Sequence, residues 1–217
     1  MGHEIMIARY LGLTMSTERA LADAFVLVGV RHATEPEMLN AARLHSNWCN
    51  GHLDIVRPAA ARYHAKGSRQ GERLRRALFR GRRLGGFGLL RDLHDLLTLA
   101  TSVHAGWMTL LQAAREARDG DLEKACRTCD AETLRQISWL ETKLRQAAPQ
   151  ALTVPVSTAR QLGASIPTLP QLGALADLVA GSAVRATLPL APVAVVGLVA
   201  VLALLLTRAA PRGDQGR

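Results

Sequence analysis

Apolar residues recur every three or four positions along most of the first 150 residues, which is the spacing of one face of an α-helix. Four segments show this pattern, and they predict helices over about residues 16–31, 36–64, 89–118 and 121–148. Ser16 or Thr17 is the expected cap of the first helix, and Pro36 suits the first turn of the second. The sequence therefore predicts an all-α domain over residues 1–150.

The links between these helices differ in length. A few residues join the first helix to the second and the third to the fourth, whereas about 24 residues join the second to the third. This order favours an up-down-down-up four-helix bundle in which residues 66–88 form one long crossover. In this respect the chain resembles the ferritin-like family over roughly residues 15–150.

The resemblance implies a di-iron centre that draws glutamates from two helices and a Glu-x-x-His motif from each of the other two. No Glu-x-x-His motif occurs in this sequence. A standard carboxylate-bridged di-iron centre is therefore not expected, and neither is oxidase chemistry built on one.

The C-terminal part of the chain has a different composition. Residues 186–207 contain no charged residue, and about 20 apolar residues in a helix are needed to cross a bilayer. They predict a transmembrane helix, preceded by a Pro/Gly-rich tether at 151–185 and followed by a short tail at 208–217. We expect a single-pass protein of the inner membrane with its large domain in the cytoplasm, although the positive-inside rule does not decide the orientation.

The segment "HSNWCNGH" places His45, Cys49 and His52 on one face of the second helix. At the predicted register, His104, Glu18 and Glu132 fall at a similar depth in the bundle. Imidazole, thiolate and carboxylate together suit a transition metal such as Fe or Zn. The competing interpretation, which we favour, is a metal-free polar layer with no cofactor, in which the histidines bond to carboxylates.

Two further thiols form the pair Cys126 and Cys129 near the start of the fourth helix. A helix N-terminus can lower the pKa of a thiol, so this pair is a candidate redox dithiol. Because no strand precedes it, as in thioredoxin-type motifs, small core residues are the favoured alternative. With three cysteines in all and no secretory leader, the thiols are expected to be reduced.

The net charge of +9 is concentrated in one segment. Between Lys66 and Arg83, eight basic residues stand against Glu72 alone. This segment could contact anionic lipid, form a plain solvated surface or, less favoured, bind nucleic acid. The candidate contact residues are Arg73, Arg75, Arg76, Arg80, Arg82 and Arg83.

Taken together, these patterns predict a membrane-anchored helical bundle with a non-enzymatic binding or scaffolding role at the cytoplasmic membrane face. Its expected partners are the lipid bilayer and a protein that the sequence does not identify, and self-association is left open. The alternative is a ferritin-like metal-binding or redox protein that uses the His/Cys/Glu residues inside the bundle.

Overall fold

The computed structural model describes residues 2–81 and 83–153, with side chains from residue 4 onward, and this part of the chain contains five helices and no strand. The all-α prediction is therefore confirmed. The helices are α1 (Gly2–Arg31), α2 (Pro36–Arg62), α3 (Gln70–Leu78), α4 (Gly85–Glu116) and α5 (Gly120–Thr153).

The predicted start of the first helix was wrong. The helix begins at Gly2 rather than near residue 16, and Ser16 and Thr17 lie inside it instead of capping it. The Thr17 hydroxyl donates to the Leu13 carbonyl one turn earlier, and the Ser16 hydroxyl accepts a hydrogen bond from the Gly71 N–H. The polar residues that looked like a helix start are therefore internal positions facing the core and the crossover.

The four long helices pack as two antiparallel hairpins, α1–α2 and α4–α5. Gln136 of α5 lies beside His45 near the start of α2, and Asp119, just before α5, lies beside Arg62 at the end of α2. Likewise, Trp107 late in α4 bonds to Glu18 in the middle of α1. These contacts make α2 antiparallel to α5 and α1 antiparallel to α4, so the helix directions are up, down, down and up.

The crossover runs along α1 at backbone contact distance and carries the chain back to the end where α4 begins. A Cβ atom at Gly12 would lie 2.0 Å from the Lys66 carbonyl oxygen, and one at Gly71 would lie 2.2 Å from the Ser16 carbonyl oxygen. Only glycine permits such close contact, which fixes α3 against α1.

The core is aliphatic, as the scarcity of aromatic residues predicts. Fully buried positions in all four long helices are mainly leucine, alanine and valine, with Phe25 and Trp107 as the large aromatic side chains. Among the described residues, no helix combines the length and apolar character that crossing a membrane requires. The predicted transmembrane helix at 186–207, the tether and the tail lie outside the described residues.

Candidate functional site

A buried histidine lies between two carboxylates in the middle of the bundle. His52 of α2 is fully buried, and its Nδ1 lies 2.9 Å from Oε1 of Glu18 on α1. Its Nε2 lies 2.9 Å from Oε2 of Glu132 on α5. The second oxygen of Glu18 accepts a hydrogen bond of 2.9 Å from the Trp107 indole on α4. Each of the four long helices thus contributes one side chain to this group, which we call the mid-bundle layer.

The contacts in the mid-bundle layer favour a protonated His52. A neutral imidazole has one N–H donor, so only the imidazolium can donate to both carboxylates when both are ionised. Burial by itself would lower the pKa of His52, but the hydrogen bonds and charges of Glu18 and Glu132 outweigh it and raise that pKa. The layer therefore holds a buried charge that is balanced by its neighbours.

Cys49 and Gln136 lie beside the mid-bundle layer, between α2 and α5. The Gln136 amide donates to the Cys49 sulfur at 3.4 Å and to the His45 carbonyl oxygen at 3.2 Å. Burial, and next the negative charge of Glu18, raise the pKa of the Cys49 thiol well above its usual range. Cys49 is therefore a protonated core residue in this arrangement.

His45 lies in a separate aromatic pocket. Its ring centroid is 5.0 Å from that of Phe25, 5.2 Å from that of Trp48 and 4.7 Å from that of Trp139. Burial lowers the pKa of His45 to about 4, and its Nδ1 has no hydrogen-bond partner among the described residues. His45 and His52 are seven residues apart, about 10 Å along a helix, so they occupy different layers of the core.

His104 does not join the mid-bundle layer either. Its Nδ1 lies 2.6 Å from Oδ1 of Asp130 on α5, in a half-buried pair near the surface. Glu18, His52 and Glu132 are thus the predicted site residues that meet directly, with Cys49 beside them, whereas His45 and His104 lie apart.

The metal-site prediction gains no support from this geometry, although nothing in the structure tests it directly. Within residues 2–81 and 83–153, no group of three or more His, Cys, Asp and Glu side chains is arranged to hold a metal ion. Both ring nitrogens of His52 are engaged by carboxylates, so this imidazole offers no free lone pair to a metal. The structure shows His52 hydrogen-bonded to two carboxylates, and metal binding by this layer stays a prediction.

The redox prediction for Cys126 and Cys129 also stays untested. Both thiols are free and buried. Burial and the nearby charges of Asp130 and Asp119 raise the pKa of Cys126 to about 12, and burial with the charge of Glu18 raises the pKa of Cys129 further above its usual range. Redox chemistry proceeds through an accessible thiolate, and these surroundings oppose one.

The Arg-rich crossover divides into an inward and an outward side. Leu74 and Leu78 pack against the core, and Phe79 is buried. Four arginines are exposed along the outer side, and we call them the basic row: Arg69, Arg73, Arg76 and Arg80. Arg75 and Arg76 both pair with Glu72, and Arg82 lies outside the described residues.

Arg83 was predicted to be an exposed contact residue, but it is buried. It belongs to a second buried cluster, which the sequence analysis did not predict. Its guanidinium donates to Asp92 at 2.9 Å and also contacts Asp95. Asp92 is fully buried and also accepts hydrogen bonds from Arg31 at 3.0 Å and His32 at 2.9 Å. This cluster, the Asp92 cluster, joins the end of α1, the end of the crossover and the start of α4.

Comparison with known proteins gives no relative from which a role could be transferred. No protein-family model matches the chain, and neither the curated proteins nor the solved structures contain a match. Function has to be argued from the residues described above.

Proposed function

We propose that this protein is a non-enzymatic, membrane-associated helical bundle that binds or organises partners at the cytoplasmic face of a membrane, with the basic row as its lipid contact. The carrying observation is the orientation of the chain around α3: Leu74, Leu78 and Phe79 pack on the core, and the arginines of the basic row are exposed on the outer side. The interior supports a structural role for the bundle, since the buried carboxylates of the mid-bundle layer and the Asp92 cluster are hydrogen-bonded.

The proposal includes the finer features that the sequence predicts. The helix order resembles that of ferritin-like proteins, without their Glu-x-x-His ligands. The uncharged run at 186–207 would anchor the chain, and the basic row would then lie against anionic headgroups. Because α3 uses its apolar side for packing, we expect this contact to be electrostatic and sensitive to salt rather than to involve insertion of α3.

Vesicle binding tests the basic row. A fragment of residues 1–153, which has its own helical core, avoids binding through the predicted anchor. Each basic residue contributes about 1 kcal/mol at an anionic surface, and Arg76 is partly neutralised by Glu72, so the basic row supplies about 3 kcal/mol, or about a 100-fold change in affinity. Changing all four arginines to Ser should reduce sedimentation with phosphatidylserine-containing vesicles by about that factor.

The matched control removes the same charge from other exposed positions, namely Arg57, Arg91, Lys124 and Arg135, of which Arg57 pairs with Asp54 as Arg76 pairs with Glu72. Helical circular dichroism should be unchanged in both variants, because the altered side chains are exposed. If the two variants lose binding equally, net charge alone governs the interaction and the basic row is not a lipid contact. If the unaltered fragment does not bind anionic vesicles, the proposal fails.

A further inference from the structure

A cleft of about 830 Å³ lies at the end of the bundle opposite the Asp92 cluster. Ile5, Ala8 and Arg9 on the first turns of α1 form one wall, and Tyr63, His64 and Lys66 at the end of α2 and the start of the crossover form the other. We call it the terminal cleft. Its volume lies within the range of small-molecule sites in proteins.

The walls of the terminal cleft are held in place by backbone contacts. His64 has a φ of 52°, which turns the chain sharply after α2. The Lys66 carbonyl then packs against Gly12, where a Cβ would lie 2.0 Å from its oxygen. The Tyr63 hydroxyl donates to Asp119 at 2.8 Å. The backbone of both walls is therefore held in place by the fold.

The charges that line the terminal cleft are mainly positive. Arg9, Arg62 and Lys66 line it together with the acidic residue Glu4. Arg62 is already paired with Asp119 at 2.6 Å. Arg9 and Lys66 have no ion-pair partner in the described part of the chain, and both are exposed. Two cations thus face the cleft with their hydrogen-bond donors free for a ligand.

An apolar surface lies beside these cations. Ile5, which lines the cleft, is 58% exposed, and Ala8 lies one turn further along α1. A ligand that carries an anionic group on a small apolar body would satisfy Arg9 and Lys66 and cover Ile5 at the same time.

We propose that the terminal cleft is a binding site for phosphate monoesters of apolar alcohols, with the phosphate at Arg9 and Lys66 and the apolar group against Ile5. Two sources share this chemistry, a soluble phosphate ester and the headgroup of an anionic lipid such as phosphatidic acid. The inference is independent of the basic row, which lies on α3 and the residues flanking it and shares no residue with the cleft.

Titration calorimetry with phenyl phosphate tests the site on the full chain held in a neutral detergent. We expect saturable binding that weakens at least tenfold in the double variant Arg9→Ser, Lys66→Ser. The control Arg91→Ser, Arg135→Ser removes two exposed charges elsewhere and should bind as the unaltered chain does. The altered residues are all exposed, so each variant should fold.

Three further arms define the ligand. Ile5→Ser should weaken phenyl phosphate but leave the weaker binding of inorganic phosphate unchanged, and benzyl alcohol should not bind. Competition by phosphatidic acid added to the micelles would identify a lipid headgroup as the source, and its absence would identify a soluble ester. Equal binding by the double variant and its control, equal binding of benzyl alcohol, or no binding of phenyl phosphate at all would overturn the proposal.

Discussion

Truncating His52 to Ala should destabilise the bundle strongly, because it leaves a buried charge without its partner. Glu18 is fully buried, and without the imidazole it keeps the Trp107 indole as its hydrogen-bond donor. Breaking a buried pair in this way costs about 3–5 kcal/mol. Glu132 is one-third exposed and can be rehydrated, so it adds little. The loss is a large share of the 5–15 kcal/mol by which domains are typically stable.

Urea unfolding followed by circular dichroism measures this loss. With a slope of about 2 kcal/mol per molar urea, the midpoint should fall by about 2 M. His104→Ala is the matched control, because the His104–Asp130 pair is half-buried and should cost about 1 kcal/mol or less. Adding Glu18→Gln to His52→Ala should recover part of the loss by removing the uncompensated charge. Equal midpoints for the two histidine variants, or no recovery by Glu18→Gln, would refute the reasoning.

Three other predictions concern different parts of the structure. Gly71→Ala should lower the melting temperature, since its Cβ would lie 2.2 Å from the Ser16 carbonyl oxygen. Gly51→Ala, whose Cβ would meet nothing within 4 Å, should instead raise stability by about 0.5–1 kcal/mol. Equal shifts in melting temperature would contradict the close contact at Gly71. The folded-state pKa of His52 is raised above 6.5, so its contribution to stability should be complete below about pH 6.5 and be lost as pH rises through the folded-state value. Urea unfolding measured from pH 6.5 upward should show this decline in stability. A His52→Gln variant should show no such decline. Elemental analysis of the full chain purified without chelator should find well under one transition metal per chain, since both ring nitrogens of His52 are bonded to carboxylates. About one metal per chain that disappears in His52→Ala would show instead that His52 binds a metal.

The helical pattern predicted three of the four long helices to within a few residues at each end, because apolar residues recur along most of the buried face of each. The first half of α1 was missed because Ser16 and Thr17 resemble a helix cap, and because Ile5 and Met6 are exposed while Thr14 is buried, which blurs the apolar spacing before residue 16. The buried hydroxyls of Thr14 and Thr17 donate to carbonyls one turn earlier in α1. Glu18 instead finds its partners on α2 and α4, which the sequence of a single helix cannot show.

The candidate site was predicted by comparing how far each polar residue lies along its predicted helix. Glu18, His52, Glu132 and His104 were placed at one level; the structure brings the first three together, whereas His104 pairs with Asp130 nearer the surface. The Asp92 cluster joins residues 31, 83 and 92, which share no local pattern. One feature of the sequence could have predicted this cluster. Asp92 occupies the buried face of α4 between Leu89 and Leu96, where a charged side chain needs hydrogen-bond partners.

The division of the mid-bundle layer between the two hairpins has a consequence for assembly. The α1–α2 hairpin supplies Glu18 and His52, and the α4–α5 hairpin supplies Trp107 and Glu132. If one hairpin docked a helical turn out of step, a slip of about 5.4 Å, the apolar faces would still meet, but Glu18 would lose its indole donor and His52 its second carboxylate. The lost hydrogen bonds would make the misaligned bundle less stable than the correct one. The mid-bundle layer therefore favours one alignment of the two hairpins.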